Sequence, residues 1–396
     1  MRNIHFSLVR EDLNKPGKST FAALFALVVS ARALLITVIP LQAHALLGDA
    51  QKVSLLYLII SAVGLCGALS VPLLVVRLRR RWIFSAGSVA AIAASVFFSL
   101  QTFESLVIGM VLQVFSIAAL EITLNLYLMD YIPRREMGRF EPMRVFAGAG
   151  VWALGPWLGV FLKTNLGPSA PFVLSGIAAL ITLLFFWVLR FNDDPVVSPM
   201  KRKPNNPLKF VGRFFSQPRL TLAWFLAMGR SAWWSMFFVY APIYVVENGL
   251  GETFSGVIVS IGISFVFLVP VWGRIGRRWG IRQLLTFGYL GAGIMAISIA
   301  FASGAPWLAV GFLISGAFAA SMVDGAGNVA FLRAVHPHER PEMTAVFTTY
   351  RDFGQLAPPA VFSVLLKSFE LPVVFVAGGL GMIVLSGLSR YLPKRL

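Results

Sequence analysis

The sequence is poor in charge, in acids and in cysteine. Only 13% of its 396 residues are charged, whereas soluble domains carry about 25%. So little charge cannot cover a water-facing surface of this size, which excludes an ordinary soluble domain. Acids number 17 against 34 basic residues, a formal charge of +17. The single cysteine, Cys66, excludes an internal disulfide and a cysteine metal cluster. It sits in an apolar run and is expected to be an inert packing residue. Histidine is also scarce, with only His5, His44, His336 and His338. None has a metal-ligand partner at helical spacing, so no metal is expected. No glycine loop of the phosphate-cradling kind occurs, which argues against ATP hydrolysis as an energy source. The chain therefore offers no residue set for an enzyme, and no cofactor is expected.

What the sequence does contain is apolar. Hydrophobic residues make up 57% of the chain and mean hydropathy is +0.78. They fall in runs of about 20 residues, the length that crosses a bilayer as a helix. Periodicity and breaks give twelve spans, near 19–42, 53–76, 83–101, 105–131, 143–163, 169–190, 220–246, 253–273, 282–302, 306–332, 343–366 and 372–391. The expected fold class is an all-α membrane protein of twelve transmembrane helices in two six-helix pseudo-repeats. Residues 1–18 form a polar N-terminal segment with no cleavable signal. Residues 19–190 form the first bundle and 191–219 a linker rich in proline and charge. Residues 220–396 form the second bundle and a short tail.

The basic residues set the orientation. All but six of the 34 fall in the N-terminal segment, the even-numbered loops or the C-terminal tail. Lys52, Lys163 and Lys367 fall on the other side, and Arg32, Arg230 and Arg351 lie within spans. The positive-inside rule then puts both termini and the linker in the cytoplasm of a multi-pass plasma membrane protein. The same distribution explains the positive charge through topology and anionic lipid. A nucleic-acid partner becomes unnecessary.

The two halves echo each other. Glu121-x-x-x-Asn125, then Pro133, Glu136 and Pro156, is matched by Asp324-x-x-x-Asn328, then Pro337, Glu339 and Pro359. A shift of 203 residues relates Glu121 to Asp324 and Pro156 to Pro359. The i, i+4 spacing puts each acid and amide on one helix face. Arg32 and Arg230 occupy the first span of each half. At a rise of about 1.5 Å per residue, these two arginines and the acids Glu121 and Asp324 all come out about 15–20 Å from the cytoplasmic end. Ionisable groups at that depth are costly and mark functional positions by default. The expected pairs are Arg32–Glu121 and Arg230–Asp324. A purely structural role, fixing helix packing, is the competing explanation. A parallel six-plus-six repeat is a transporter architecture with its site between the halves near the midplane.

These features resemble the major facilitator superfamily. The loop after span 8 reads Gly273-Arg-Ile-Gly-Arg277-Arg278-Trp279-Gly280-Ile281-Arg282. The loop after span 2 reads Pro72-Leu-Leu-Val-Val76-Arg77-Leu78-Arg79-Arg80-Arg81. Both are similar to the family's Gly-x-x-x-Asp-Arg-x-Gly-Arg-Arg, with Arg277 and Val76 in place of the aspartate. Span 5, Gly148-Ala-Gly150-Val-Trp-Ala-Leu-Gly155-Pro156-Trp-Leu-Gly159, resembles the glycine–proline motif of proton-driven exporters. Met110 stands where many proton-coupled members carry arginine. The resemblance implies alternating access, spans 3, 6, 9 and 12 as outer supports, and a monomer in the lipid bilayer. It implies loop and hinge roles for Arg77, Arg277, Arg278, Gly280, Gly155 and Pro156.

The expected function is secondary active transport of a small organic molecule, with protons as coupling ion through Glu121 and Asp324. Arg32, Arg230, Asn125, Asn328, Arg351, Trp233 and Trp234 are the candidate substrate contacts. Span 5 favours efflux. The arginine pair favours exchange or symport of an organic anion, since the family's organophosphate exchangers place arginines in spans 1 and 7. A membrane sensor that keeps the fold without transport is the alternative of a different class. The aromatics of span 7, from Trp224 to Tyr244, read either as packing or as a cavity wall. The topology is tested by placing a cysteine at Ser198 in a Cys66→Ser background. An impermeant thiol reagent added outside intact cells is expected to leave it unlabelled, and labelling would reverse the orientation.

Overall fold

The computed structural model describes residues 17–132, 134–189, 208–302, 304–336 and 339–393. The N-terminal segment and most of the expected linker lie outside these residues, as do the side chains of Arg134, Arg135, Glu136, Arg139, Glu141, Arg340 and Glu342. The described residues form helices and no strands. The first half comprises α1 (Lys18–Ala33), α2 (Val38–Leu47), α3 (Ala50–Arg77), α4 (Arg80–Ser99), α5 (Phe103–Tyr131), α6 (Arg134–Leu166) and α7 (Ala170–Val188). The second begins with α8 (Leu208–Phe215), α9 (Pro218–Glu247), α10 (Glu252–Ser264), α11 (Val269–Trp279) and α12 (Ile281–Ala300). It continues with α13 (Pro306–Ala326), α14 (Val329–Ala334), α15 (Arg340–Phe347), α16 (Tyr350–Leu365) and α17 (Pro372–Ser389).

Local chemistry sets many of the ends. The Asp49 side chain accepts a hydrogen bond from the Gln51 amide at 2.8 Å and starts α3. Thr102 and Ser105 form a reciprocal capping box at α5. Proline opens α7, α9, α13 and α17, where its missing N–H costs nothing. Gly280 has φ +98°, a backbone turn that a Cβ would strain, and it joins α11 to α12.

Among the described residues, ten helices or helix pairs are long and apolar enough to cross a membrane. Helix α9 and the α15–α16 pair are not among the ten. They carry Arg230 and the Arg351–Asp352 pair, and those polar groups interrupt the apolar run. Several expected spans are broken within the bilayer. Span 1 loosens at residues 34–37 and span 8 passes through a 3-10 turn, Phe265–Leu268. Span 10 breaks at Gly327, φ +53°, and span 11 at residues 348–349. Cys66 is exposed on α3 rather than packed.

The halves meet unequally. The face bearing the α3–α4 and α11–α12 turns is here termed the basic face. On the opposite face one apolar core joins both halves, running from Leu34 and Val38 through Val160 to Tyr240, Ile258 and Phe375. Toward the basic face the core divides. Phe21, Leu24, Phe84, Tyr127 and Phe186 form a cluster within the first half. Phe214, Trp224, Phe331, Phe347 and Tyr350 form another within the second. The opposite face is also tied by polar contacts between halves. His44 Nε2 lies 3.4 Å from Glu247 Oε1, and Lys163 Nζ 2.8 Å from a Glu252 carboxylate oxygen. The Tyr240 and Ser54 hydroxyls are 2.7 Å apart, and the Trp157 backbone N–H donates to Ser260 Oγ at 2.9 Å. The structure is thus closed on the opposite face and parted toward the basic one.

Glycines of span 5 let α6 reach the broken part of span 1. A Cβ at Gly159 would fall 1.9 Å from the Leu34 carbonyl oxygen, and one at Gly155 2.7 Å from the Ala33 carbonyl carbon. Backbone cannot yield as a side chain can. Gly159→Ala is therefore expected to lower the melting temperature, at a cost of about 1–3 kcal/mol. Gly150, with nothing within 4 Å of its Cβ direction, is expected to accept alanine without loss, since alanine favours a helix by about 1 kcal/mol. Equal melting temperatures for the two variants would contradict this packing.

Candidate functional site

Between the halves, at mid-depth, lie three arginines and three acids. The second half builds a closed group around Arg230 of α9. Its Nε is 3.8 Å from Asp324 Oδ1. Its Nη2 donates to Asn328 Oδ1 at 2.9 Å and to the Tyr350 hydroxyl at 3.2 Å. Trp234 Nε1 donates to the other Asp324 oxygen at 3.0 Å. The side chains of Arg230 and Asp324 are only 14% and 23% exposed, so this group is mostly withdrawn from water. The expected Arg230–Asp324 pair is present. Asp324 and Asn328 do not, however, share a continuous helix face. Gly327 ends α13 and turns the chain, and Asn328 opens α14 and meets Arg230 from there. Trp234 stacks on Phe238 at 5.4 Å.

The first half departs from the expected pairing. Glu121 of α5 does not pair with Arg32. Its Oε1 accepts from Arg351 Nη1 of α16 at 2.9 Å, across the two halves. Arg351 and Glu121 are 58% and 45% exposed, so this bridge is open to solvent. Counting residues along a helix gives depth but not azimuth, which is why the partner was misassigned. Arg32 lies over the Trp152 ring of α6, 5.2 Å from its centroid. It is within electrostatic range of Glu121 and Arg351. Asp352, next to Arg351, is half-buried and also feels Arg351 and Glu121. Among the described residues, neither Arg32, Asp352 nor Asn125 has an ion pair or hydrogen bond through its side chain.

Other candidates fall elsewhere. Trp233, expected at the substrate, is 2% exposed and packs against Gly316. It supports the cavity wall from behind rather than lining it. Phe237, Tyr240 and Tyr244 are likewise core residues. Arg77, Arg277 and Arg278 are exposed at the basic turns. Beside them Arg80 bonds Asp130 at the end of α5, which ties that turn to its own half. Tyr350 is the site residue that the sequence did not single out, whereas Trp152 reads with the aromatics of span 5 either as packing or as a cavity wall. The only sequence signal at Tyr350 is an aromatic ring beside the intramembrane Arg351, which most often means packing.

Comparison with known proteins agrees with this geometry. Residues 20–359 match the Major Facilitator Superfamily. A mutant of the nucleoside transporter NupG superposes with TM-score 0.78 at 16% identity, over 96% of this chain and all of that one. A POT family transporter in complex with 5-aminolevulinic acid gives 0.74 at 12%, over 93% and 94%. A bacterial homologue of the iron transporter ferroportin in the inward-facing state gives 0.70 at 19%, over 94% and 98%. The chain is also 28% identical over 186 residues to a probable potassium transport system protein, Kup 1, of Agrobacterium fabrum. That match spans 39% of this chain and 29% of the relative. The chain belongs to the Major Facilitator Superfamily. It is an all-α, multi-pass membrane transporter, not an enzyme.

The two ion pairs differ in environment, and double-mutant cycles should separate them. Removing Arg230 alone strands Asp324 among apolar neighbours and is expected to cost about 3–5 kcal/mol, much of it recovered in Arg230→Gln/Asp324→Asn. The Arg351–Glu121 pair is expected to couple by no more than about 1 kcal/mol. Equal coupling energies, read from melting of the purified variants, would contradict the division into a buried and a wet pair.

Proposed function

We propose that the protein moves a small organic molecule through the plasma membrane by alternating access, driven by a proton gradient through Asp324 and Glu121. The observation that carries this reading is the Arg230–Asp324 group. An acid held between a guanidinium and an indole N–H, mostly out of water, changes its proton affinity sharply when either partner moves. A shift of α13 or α16 against α9 within the second half is such a movement, because Arg230 sits on α9 while Tyr350 sits on α16 and Asp324 on α13. Glu121 supplies a second acid whose only ion-pair partner among the described residues, Arg351, belongs to the other half. Its pairing therefore links the two halves at mid-depth.

The basic face is read as cytoplasmic from the distribution of lysine and arginine. The conformation parted toward that face is then the inward-open one. The glycine–proline stretch of α6 supports efflux, since it packs where the opposite face is sealed. The unpaired Arg32 supports a substrate with an anionic group, because a guanidinium offers a fork of N–H donors to a carboxylate or phosphate.

In proteoliposomes, Asp324→Asn is expected to abolish substrate accumulation driven by a pH gradient while leaving some exchange at equal pH. Glu121→Gln is expected to weaken accumulation in the same sense. Retention of full gradient-driven accumulation in the double variant would show that these acids do not couple transport to protons.

A further inference from the structure

We propose that the Tyr350 hydroxyl is a positioning group that links the two acids, so that the charge on Asp324 sets the strength of the Arg351–Glu121 bridge between the halves. This rests on the reading of Asp324 as the acid that takes up a proton, and it says how that event reaches the other half.

The two ion pairs meet at one oxygen. Arg230 Nη2 donates to the Tyr350 hydroxyl at 3.2 Å, and Arg351 Nε donates to the same oxygen at 3.4 Å. Arg230 is paired in turn with Asp324, and Arg351 with Glu121. Contacts are therefore continuous from Asp324 through Arg230, Tyr350 and Arg351 to Glu121. The first four belong to the second half and Glu121 to the first. The Tyr350 ring is buried, with the two guanidiniums 5.7 and 6.0 Å from its centroid. Helices α9 and α16 hold this arrangement closely. Ser231 Oγ donates to the Arg351 carbonyl at 3.3 Å, and a Cβ at Gly354 would fall 2.9 Å from the Met228 carbonyl oxygen. Tyr350 and Arg351 are thus set against Arg230, while Asp324 approaches from α13.

A hydroxyl oxygen offers two acceptor positions. Two guanidinium donors occupy both here, so two like charges are drawn to one atom. Each is compensated by its own carboxylate. When Asp324 loses its charge, Arg230 keeps only the neutral acceptors Asn328 and Tyr350. Its hold on the shared oxygen strengthens, and so does its repulsion of Arg351. Arg351 Nε then loses its anchor, and the guanidinium that holds Glu121 is no longer oriented. A change confined to the second half is felt in this way at a bond between the halves. The charges of Arg32 and Asp352, which also act on that bond, are the same with tyrosine or phenylalanine at 350. Removing the hydroxyl alone therefore isolates its part.

The test is the distance between the basic-face ends of the two halves in the purified full-length protein in detergent. Spin labels are placed through Leu78→Cys and Trp279→Cys, exposed positions at the α3–α4 and α11–α12 turns, in a Cys66→Ser background. Glu121→Gln removes the bridge and is expected to widen the distance distribution. Asp324→Asn is expected to widen it in the same direction by a smaller amount, although the partners of Asp324, Arg230 and Trp234, both lie on α9. Tyr350→Phe keeps the ring and removes only the oxygen. It is expected to produce the Asp324→Asn shift by itself, and Asp324→Asn added to it to produce none further. Asn328→Ala also strips a partner from Arg230 but leaves Arg351 untouched, and is expected to preserve the response to Asp324→Asn. That contrast separates the link from a general loosening of the group. An Asp324→Asn shift of equal size with phenylalanine at 350, or no shift with tyrosine there, overturns the proposal, as does loss of the response in Asn328→Ala. The measurement uses neither gradient nor substrate. Its failure leaves gradient-driven transport through Asp324 standing, and failure of proton-driven transport leaves the link between the acids standing.

Discussion

An ionised side chain within an apolar bundle must be paired, hydrogen-bonded or wet. The rest of this structure follows from how that constraint is met. Arg230 meets it by saturation, with Asp324, Asn328 and Tyr350 around one guanidinium. Glu121 and Arg351 meet it through water and each other. The helices that carry charge, α1, α5, α9, α13 and α16, therefore face the space between the halves. Helices α4, α7, α12 and α17 carry no ionisable residue beyond their ends and can turn apolar side chains such as Val89, Leu184, Phe287 and Leu380 outward. A soluble protein would expose few such residues together. Here they are the surface that lipid covers.

The contacts between halves are graded by depth. The opposite face holds an apolar core common to both halves, the Lys163–Glu252 ion pair, the His44–Glu247 contact and a backbone-to-serine bond. Mid-depth holds the Arg351–Glu121 bridge and a bond from Ser61 Oγ to the Gln355 carbonyl at 3.3 Å. Rocking about an axis near mid-depth moves the outer contacts most and the central ones least. The seal is thus made of contacts that separate together, while the central bridge can persist across much of the motion. That division suits a protein whose outer seal must be cooperative and whose site must remain near one place.

Much of this was legible in the chain. Apolar runs gave the helices, and the 203-residue echo gave the paired halves. Depth counting brought Arg230 and Asp324 to one level and hence to one another. It failed for Arg32, because two residues at equal depth can sit on different walls. The break at residues 34–37 was hidden, since hydropathy runs through it without change, whereas that at 348–349 opens the polar stretch Thr348–Asp352. Gly327 was visible as a glycine, but its left-handed turn was not. That turn, rather than helical spacing, brings Asn328 to Arg230. Trp233 and Trp234 look alike in sequence, yet one step of 100° separates a core residue from one that bonds Asp324.

The echo between halves also breaks where it is informative. In the first half, Asp130 bonds Arg80 and ties the α3–α4 turn to the end of α5. Moving 203 residues along the chain reaches Arg333, an exposed cation near an already basic turn. The second half cannot make the same bond, and it draws on a different element. Helix α8 docks there, with Phe214 buried in the aromatic cluster and Arg213 bonded to Glu339. Gln217 adds a bond to the same carboxylate at 3.4 Å. Glu339 is 8% exposed, so its charge depends on such partners. The first half is therefore latched by its own loop and the second by the last part of the linker. The end of the linker, from Leu208 on, packs against the second bundle.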